Sequence, residues 1–185
     1  MQPHKDSVFT TGGARTVLAS YHRRNLTDTD KHHFGDVPPG VTVLDGGSTC
    51  TITTSATNCS NVRRAHISIH VGGHKLLCTQ IGDVYYKQRE LGGDVSGILV
   101  KDARIVPNFG INVLGESVFL DKGASIIKEP DPITKRVYTR IIHPDGDVLL
   151  RCERHTSGLF LLYPADSCSY TADACGMSAA PCSFH

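Results

Sequence analysis

The chain has no tryptophan, only two methionines and no long apolar run, and each absence narrows the class of protein. No stretch approaches the roughly 20 apolar residues that a membrane-spanning helix needs, and residues 1–5 do not begin a secretory signal peptide. We therefore predict a cytoplasmic protein with no membrane partner. The 19 basic and 18 acidic residues nearly balance, so the net charge gives no reason to expect direct binding of nucleic acid.

The sequence also lacks the common signatures of several enzyme classes. It has no Gly-x-Ser-x-Gly elbow, no phosphate-binding loop and no His-Glu-x-x-His helix. Its seven cysteines are an odd number and cannot all pair within one chain, so we expect thiols in a reducing compartment. His66 and His70 alternate with isoleucines along a predicted strand, which favours solvent-facing positions over a metal site. We predict neither a metal nor a cofactor.

Composition divides the chain into three regions. Residues 1–36 are polar and have no sustained hydrophobic period, so we predict a flexible leader that docks on the domain. Residues 37–163 carry a regular strand pattern and are long enough to bury the core of a single domain. Residues 164–185 are rich in Cys, Ala and Ser, and we predict an irregular tail.

Abundant glycine, with frequent Val, Ile and Thr in the middle of the chain, predicts an all-β domain. Gly-Gly, Pro-Asn and Pro-Asp-Gly turn signals separate the apolar runs. One short helix is predicted at Glu116–Lys122, because an acid begins it and Gly123 follows it. The predicted strands are Val41–Leu44, Thr51–Thr54, Ala65–Val71, Lys75–Tyr86, Gly97–Val106, Ser125–Lys128, Val137–His143, Val148–Arg154 and Leu159–Leu162, with a further apolar strand that ends at 112–115.

The most informative segment is Val41–Thr49, an apolar strand that ends in Asp45 and a turn of two glycines and two hydroxyl residues. An acid at the mouth of a buried strand is costly unless something uses it. Catalytic loops of aspartic peptidases have this layout, and there two carboxylates share one proton and activate a water. The chain holds one copy, so the second Asp45 would come from a second molecule. The alternative is an aspartate that only closes a turn by bonding its own backbone.

A predicted hairpin at Ile69–Leu76 is the second candidate element. Gly72 and Gly73 form its tip, because Gly-Gly between alternating strands is a good signal for a short hairpin. A hairpin of this kind is either a flap that covers an extended peptide or a plain surface hairpin.

Three segments, in this order, resemble the protease of copia-type retrotransposon polyproteins, a retropepsin-like aspartic peptidase. Val43–Thr49 is similar to the family's apolar-apolar-Asp-Ser-Gly-Ala-Ser. Ala103–Gly115 resembles its proline-containing segment that ends in Asn-Leu-Leu-Ser, and Gly158–Leu162 resembles its downstream Gly-Leu-Tyr-Tyr-Leu. Together they span residues 41–163, about two thirds of the chain.

The resemblance implies a closed, barrel-like β-domain that works as a two-fold symmetric homodimer and cleaves an extended peptide in a retroelement polyprotein, in the cytoplasm or in retroelement particles. It implies Asp45 as the catalytic residue of each subunit, with no metal and no cofactor. The residues implied to shape the loop and contact substrate are Gly46, Gly47, Ser48, Thr49, Val71, Gly72, Gly73 and His74.

One residue departs from the family pattern. The family places Ser or Thr directly after the aspartate, and its hydroxyl hydrogen-bonds across the dimer axis, whereas this chain has Gly46. A buried hydrogen bond contributes about 1 kcal/mol net, and this one would occur twice in the dimer. We therefore expect a weaker dimer and a slower protease. The alternative is a non-catalytic domain of the same fold that binds peptides or dimerises.

Overall fold

The computed structural model describes residues 7–10, 17–18, 37–38, 40–71, 74–89 and 95–165. Within these residues it has twelve strands, one short α-helix (α1) and one 3-10 helix. The strands are β1 (Ser7–Thr10), β2 (Val17–Leu18), β3 (Thr42–Asp45), β4 (Ile52–Thr53), β5 (Cys59–Val71), β6 (His74–Arg89), β7 (Val95–Ile105), β8 (Asn112–Gly115), β9 (Ser125–Pro130), β10 (Val137–Ile142), β11 (Val148–Arg154) and β12 (Phe160–Leu162). The helices are Pro107–Phe109 (3-10) and α1, Ser117–Leu120.

The predicted all-β class with one short helix is confirmed, and the helix is shorter than expected. The predicted closed barrel is not confirmed, because the path of paired strands has two ends. It runs β2-β5-β6-β7-β4-β8-β3-β12-β11-β10-β9, and β1 pairs with β7 beside this path. No helix in the described residues is long and apolar enough to cross a membrane.

Strand positions agree closely with the sequence pattern, and the main difference is length. The β5–β6 hairpin has arms of 13 and 16 residues, because strands can continue through the register shifts at residues 60–63 and 64–67. The 3-10 helix at Pro107–Phe109 was not predicted; it ends at Gly110, whose φ of 92° favours glycine. Two segments of the predicted leader, β1 and β2, pair in parallel with β7 and β5.

The centre of the sheet is a parallel pair, β3 and β8. Their register aligns Thr42 with Asn112 and Asp45 with Gly115, so the two strands end side by side. β12 covers the other edge of β3 in antiparallel pairing, and β4 lies between β8 and β7. Thr42 to Leu44 have a paired strand on both edges, and the pairing of Asp45 with Gly115 fixes the position of the carboxyl end of β3.

Both faces of β3 are buried, which explains why the strand reads as a continuous apolar run. Val43 packs in a small cluster with Val41 and Leu161. Leu44 faces the larger cluster, which includes Phe119 of α1. A third cluster lies beneath the β5–β6 hairpin; its buried members are Cys50, Ile52, Ile69, Val71, Cys78, Val106, Phe109 and Val113.

A buried side chain joins two parts of the sheet that are not paired as strands. The Gln88 amide, near the end of β6, donates through Nε2 to the Arg151 carbonyl, and its Oε1 accepts from the Arg151 N–H at 2.6 Å. β12 pairs only with residues 153 and 154 of β11, so Gln88 covers the edge of β11 that β12 leaves open. Ala165 N also donates to Lys87 O at 3.2 Å. The Gln88 side chain thus joins β6 to β11 without a continuous ladder of backbone hydrogen bonds between the two strands.

We expect Gln88→Ala to destabilise the domain by about 1–2 kcal/mol, because it leaves the half-buried N–H and C=O of Arg151 without their partner. Urea unfolding followed by circular dichroism measures the loss. Gln80→Ala, an exposed position on the same strand, is the matched control and should change stability little. Equal effects of the two substitutions would contradict this role for Gln88.

Candidate active site

Asp45 is the last residue of β3, where the chain leaves the core. The residues before it are buried, Asp45 itself is half-buried, and Gly46 and Gly47 are exposed. Its Cα is in register with Gly115 at the end of β8. The structure thus places the acid at the rim of the sheet, where a second molecule or a ligand can approach.

The Asp45 carboxylate has two different oxygens. Oδ1 accepts a hydrogen bond from Gly47 N at 2.9 Å, and the Asp45 carbonyl accepts from Ser48 N at 3.3 Å, so Asp45 does close its own turn, as the alternative interpretation requires. Oδ2 is buried and has no hydrogen-bond partner among the described residues. A turn needs only one carboxylate oxygen, and the second is left for another group.

Ser48 holds the loop from inside. Its side chain is buried, and Oγ donates to the Cys50 carbonyl at 2.6 Å. Ser117 Oγ of α1 donates to the Ser48 carbonyl at 3.0 Å. Ser48 therefore holds the loop in place, and its hydroxyl is committed to the backbone. Thr49 is exposed.

Gly115 sets how closely the loop approaches β8. A Cβ at Gly115 would lie 2.7 Å from the Ser48 carbonyl oxygen and 2.8 Å from that of Cys50, and backbone atoms cannot move aside as a side chain can. Gly46 is different: a Cβ there would meet only the Glu116 carboxylate, 3.1 Å from Oε2, and its φ lies outside the left-handed region. Packing therefore requires glycine at position 115, whereas the backbone conformation at position 46 does not require glycine.

Glu116 is the neighbour that the sequence pattern did not assign to the site. Its N–H donates to the Asp45 carbonyl at 3.1 Å, and its Oε1 lies 3.3 Å from Lys128 Nζ. Burial raises the pKa of Asp45, the Gly47 hydrogen bond opposes this increase, and the negative charge of Glu116 adds to it. The sequence indicates Glu116 only as the start of a helix. Its contact with Gly46 could not be predicted, because the two residues are 70 positions apart in the chain.

The predicted flap is only partly described. Val71 pairs with His74, so a two-residue connection joins the arms, but Gly72 and Gly73 themselves lie outside the described residues, as does the side chain of His74. Val71 is fully buried in the cluster beneath the hairpin. Its side chain is therefore part of the core, and only its backbone remains for a ligand.

No metal site is evident in the part of the chain that the structure describes. No group of three or more His, Cys, Asp or Glu side chains there could hold an ion. His66 and His70 are exposed opposite the buried Ile69, which confirms the predicted faces of this strand. Two cavities, of about 410 and 630 Å³, lie elsewhere, and Asp45 lines neither.

Neither the protein-family models, nor the curated proteins, nor the solved structures with which the chain was compared give a match. The resemblance to copia-type proteases thus stays a prediction from the three motifs.

Gly115→Ala should destabilise the fold by about 1–3 kcal/mol or more, because the added methyl overlaps two backbone oxygens. Gly46→Ala, which adds the same methyl one strand away, meets only the end of a side chain and should cost far less. Chemical denaturation of both variants gives the comparison. If Gly46→Ala proved as damaging as Gly115→Ala, the close approach at Gly115 would not be the constraint we infer.

Proposed function

We propose that the chain is an aspartic endopeptidase of the retropepsin type that acts as a homodimer, with one Asp45 from each copy. The observation that carries this proposal is the buried, unpartnered Oδ2 of Asp45 at the rim of the sheet. A second carboxylate, carrying the shared proton, would satisfy this oxygen once the Asp45 side chain turns Oδ2 from its covered position towards the partner. The two-fold contact that brings two identical loops together is the commonest symmetry of homo-oligomers.

The chemistry follows from two carboxylates in one site. One acts as general base towards a water, and its protonated neighbour acts as general acid. Two such groups cannot both ionise at close range, so the pair binds one proton and titrates with two well-separated pKa values. The raised pKa of Asp45 in a single chain supports this, because each carboxyl keeps its proton to a higher pH than an ordinary aspartate before the second arrives.

An extended peptide is the substrate that fits this proposal best. The β5–β6 hairpin would cover it, and backbone groups near residues 71–74 would pair with it as a sheet edge does. The order of the three motifs supports a polyprotein of a retroelement as the source of that peptide, and a cytoplasmic site of action. The barrel-like closure belongs to the same proposal; the bridge of Gln88 to Arg151 supports it.

One specific observation keeps a second function open, a non-catalytic domain that binds peptides or dimerises. Gly46 is exposed and has no hydroxyl to bond across the proposed axis. A dimer weakened in this way would keep the fold and lose the close, rigid carboxylate pair.

Peptidase activity should rise more than linearly with protein concentration, because only the dimer holds two carboxylates. Cleavage of a mixed peptide library, read by mass spectrometry between pH 4 and 7, measures it. Asp45→Asn should abolish cleavage, a statine inhibitor should block it, and Asp147→Asn, which removes an exposed acid from a turn, should leave it unchanged. No cleavage by pure protein at high micromolar concentration would refute the peptidase and leave the binding domain.

Gly46→Ser should tighten the proposed dimer, because it restores one hydroxyl to each loop; the Glu116 carboxylate, 3.1 Å from the new Cβ, has to move aside for it. Two hydrogen bonds of about 1 kcal/mol each correspond to a dissociation constant lower by roughly 30-fold. Sedimentation equilibrium measures this constant, and Gly46→Ala separates the hydroxyl from the added methyl. Equal tightening by Ala and Ser, or none by Ser, would argue against the loops meeting at the axis.

A further inference from the structure

The space above Gly46 is occupied by a carboxylate. Glu116 Oε2 stands 3.1 Å from the position that a Cβ at Gly46 would take. Its side chain is 13% exposed, so the charge is largely removed from water, and the Glu116 N–H holds the Asp45 carbonyl at 3.1 Å. The backbone and the side chain of Glu116 therefore both lie against the Asp45 turn.

Lys128 on β9 anchors this carboxylate. Its Nζ lies 3.3 Å from Glu116 Oε1 and 5.3 Å from the centre of the Phe160 ring on β12. Phe160 is in register with Leu44, the residue before Asp45. The ammonium is thus held by a carboxylate and an aromatic face, and it leaves Oε2 on the side of Gly46.

Among the described residues, the charged and titratable groups that an ion pair or a pKa shift links to this cluster come from three elements. Glu116 precedes α1, Lys128 belongs to β9, and Cys152 belongs to β11. Burial, with a smaller contribution from Glu116, raises the pKa of Cys152 to about 12, so this thiol stays neutral at physiological pH. Among these groups, Glu116 is the one that adds negative charge beside Asp45, and Lys128 is the one that opposes it.

We propose that Glu116 is a positioning residue for Asp45: anchored by Lys128, its carboxylate covers Gly46 and sets the charge against which Asp45 ionises. The inference rests on the proposed function for its consequence in catalysis. In a dimer, two Glu116 carboxylates would flank the Asp45 pair, and the shared proton would be retained to a higher pH. The active range would then extend towards neutral pH, and its alkaline limit would depend on Glu116.

The test is the titration of the Asp45 carboxyl by ¹³C NMR in the full chain labelled at aspartate, with Asp45→Asn to assign the signal. We expect Glu116→Gln to lower the pKa of Asp45 by about 0.5–1 unit, the effect of one charge at short range in a partly buried site. Lys128→Met should raise it, because the charge of Glu116 is then no longer opposed. Glu129→Gln, which removes an acid one residue further along β9, should have little effect.

The opposite signs separate positioning from structural damage. A loosened loop would expose Asp45 and lower its pKa in both the Glu116 and the Lys128 variants. An unchanged pKa in Glu116→Gln, a decrease in Lys128→Met, or an equal decrease in Glu129→Gln would overturn the inference. If the shifts appear but the protein cleaves no peptide, the positioning role stands and the proposed function fails. If peptides are cleaved without these shifts, the inference alone fails.

Discussion

The close approach of the Asp45 loop to Gly115 is the constraint on which the candidate site depends. The parallel pairing of β3 with β8 brings the two strand ends together, and the absence of a Cβ at Gly115 lets the carbonyls of Ser48 and Cys50 lie against β8. The Ser48 hydroxyl then closes the loop from inside. A larger residue at position 115 would displace the loop and with it the carboxylate, because no flexible group stands between the two backbones.

This packing gives Asp45 an environment that a turn residue alone would not have. One oxygen is fixed by Gly47 and the other is buried without a partner in the described part of the chain, while Glu116 adds a second negative charge nearby. An acid that only closed a turn would gain nothing from that second charge. The arrangement instead suits a carboxyl that keeps its proton to a higher pH than usual. At Gly46, the space that a side chain would fill is occupied by Glu116.

Much of the fold could be predicted from the sequence, because strands and turns depend on residues that are neighbours in the chain. Alternation placed Ile69 inside and His66 and His70 outside, and turn signals located most of the strands after residue 40. β5 begins six residues before the predicted Ala65, and β1 and β2 lie in the predicted leader. The contact between β6 and β11 could not be predicted in the same way. It depends on Gln88 and Arg151, which are 63 residues apart, and the chain around Gln88 carries no signal that its amide completes the edge of another strand.

The sequence by itself determined the all-β class, most of the strands after residue 40 and the position of Asp45 at the end of a buried strand, because hydrophobic period and turn residues are properties of neighbouring amino acids. Only the tertiary structure decided which groups surround that acid. Gly115 and Glu116 reach the loop through the parallel pairing of β3 with β8, between residues about 70 positions apart. Lys128 reaches Glu116 through the packing of β9 beside α1. The groups around a carboxyl determine its pKa, so the packing of these residues determines how Asp45 ionises.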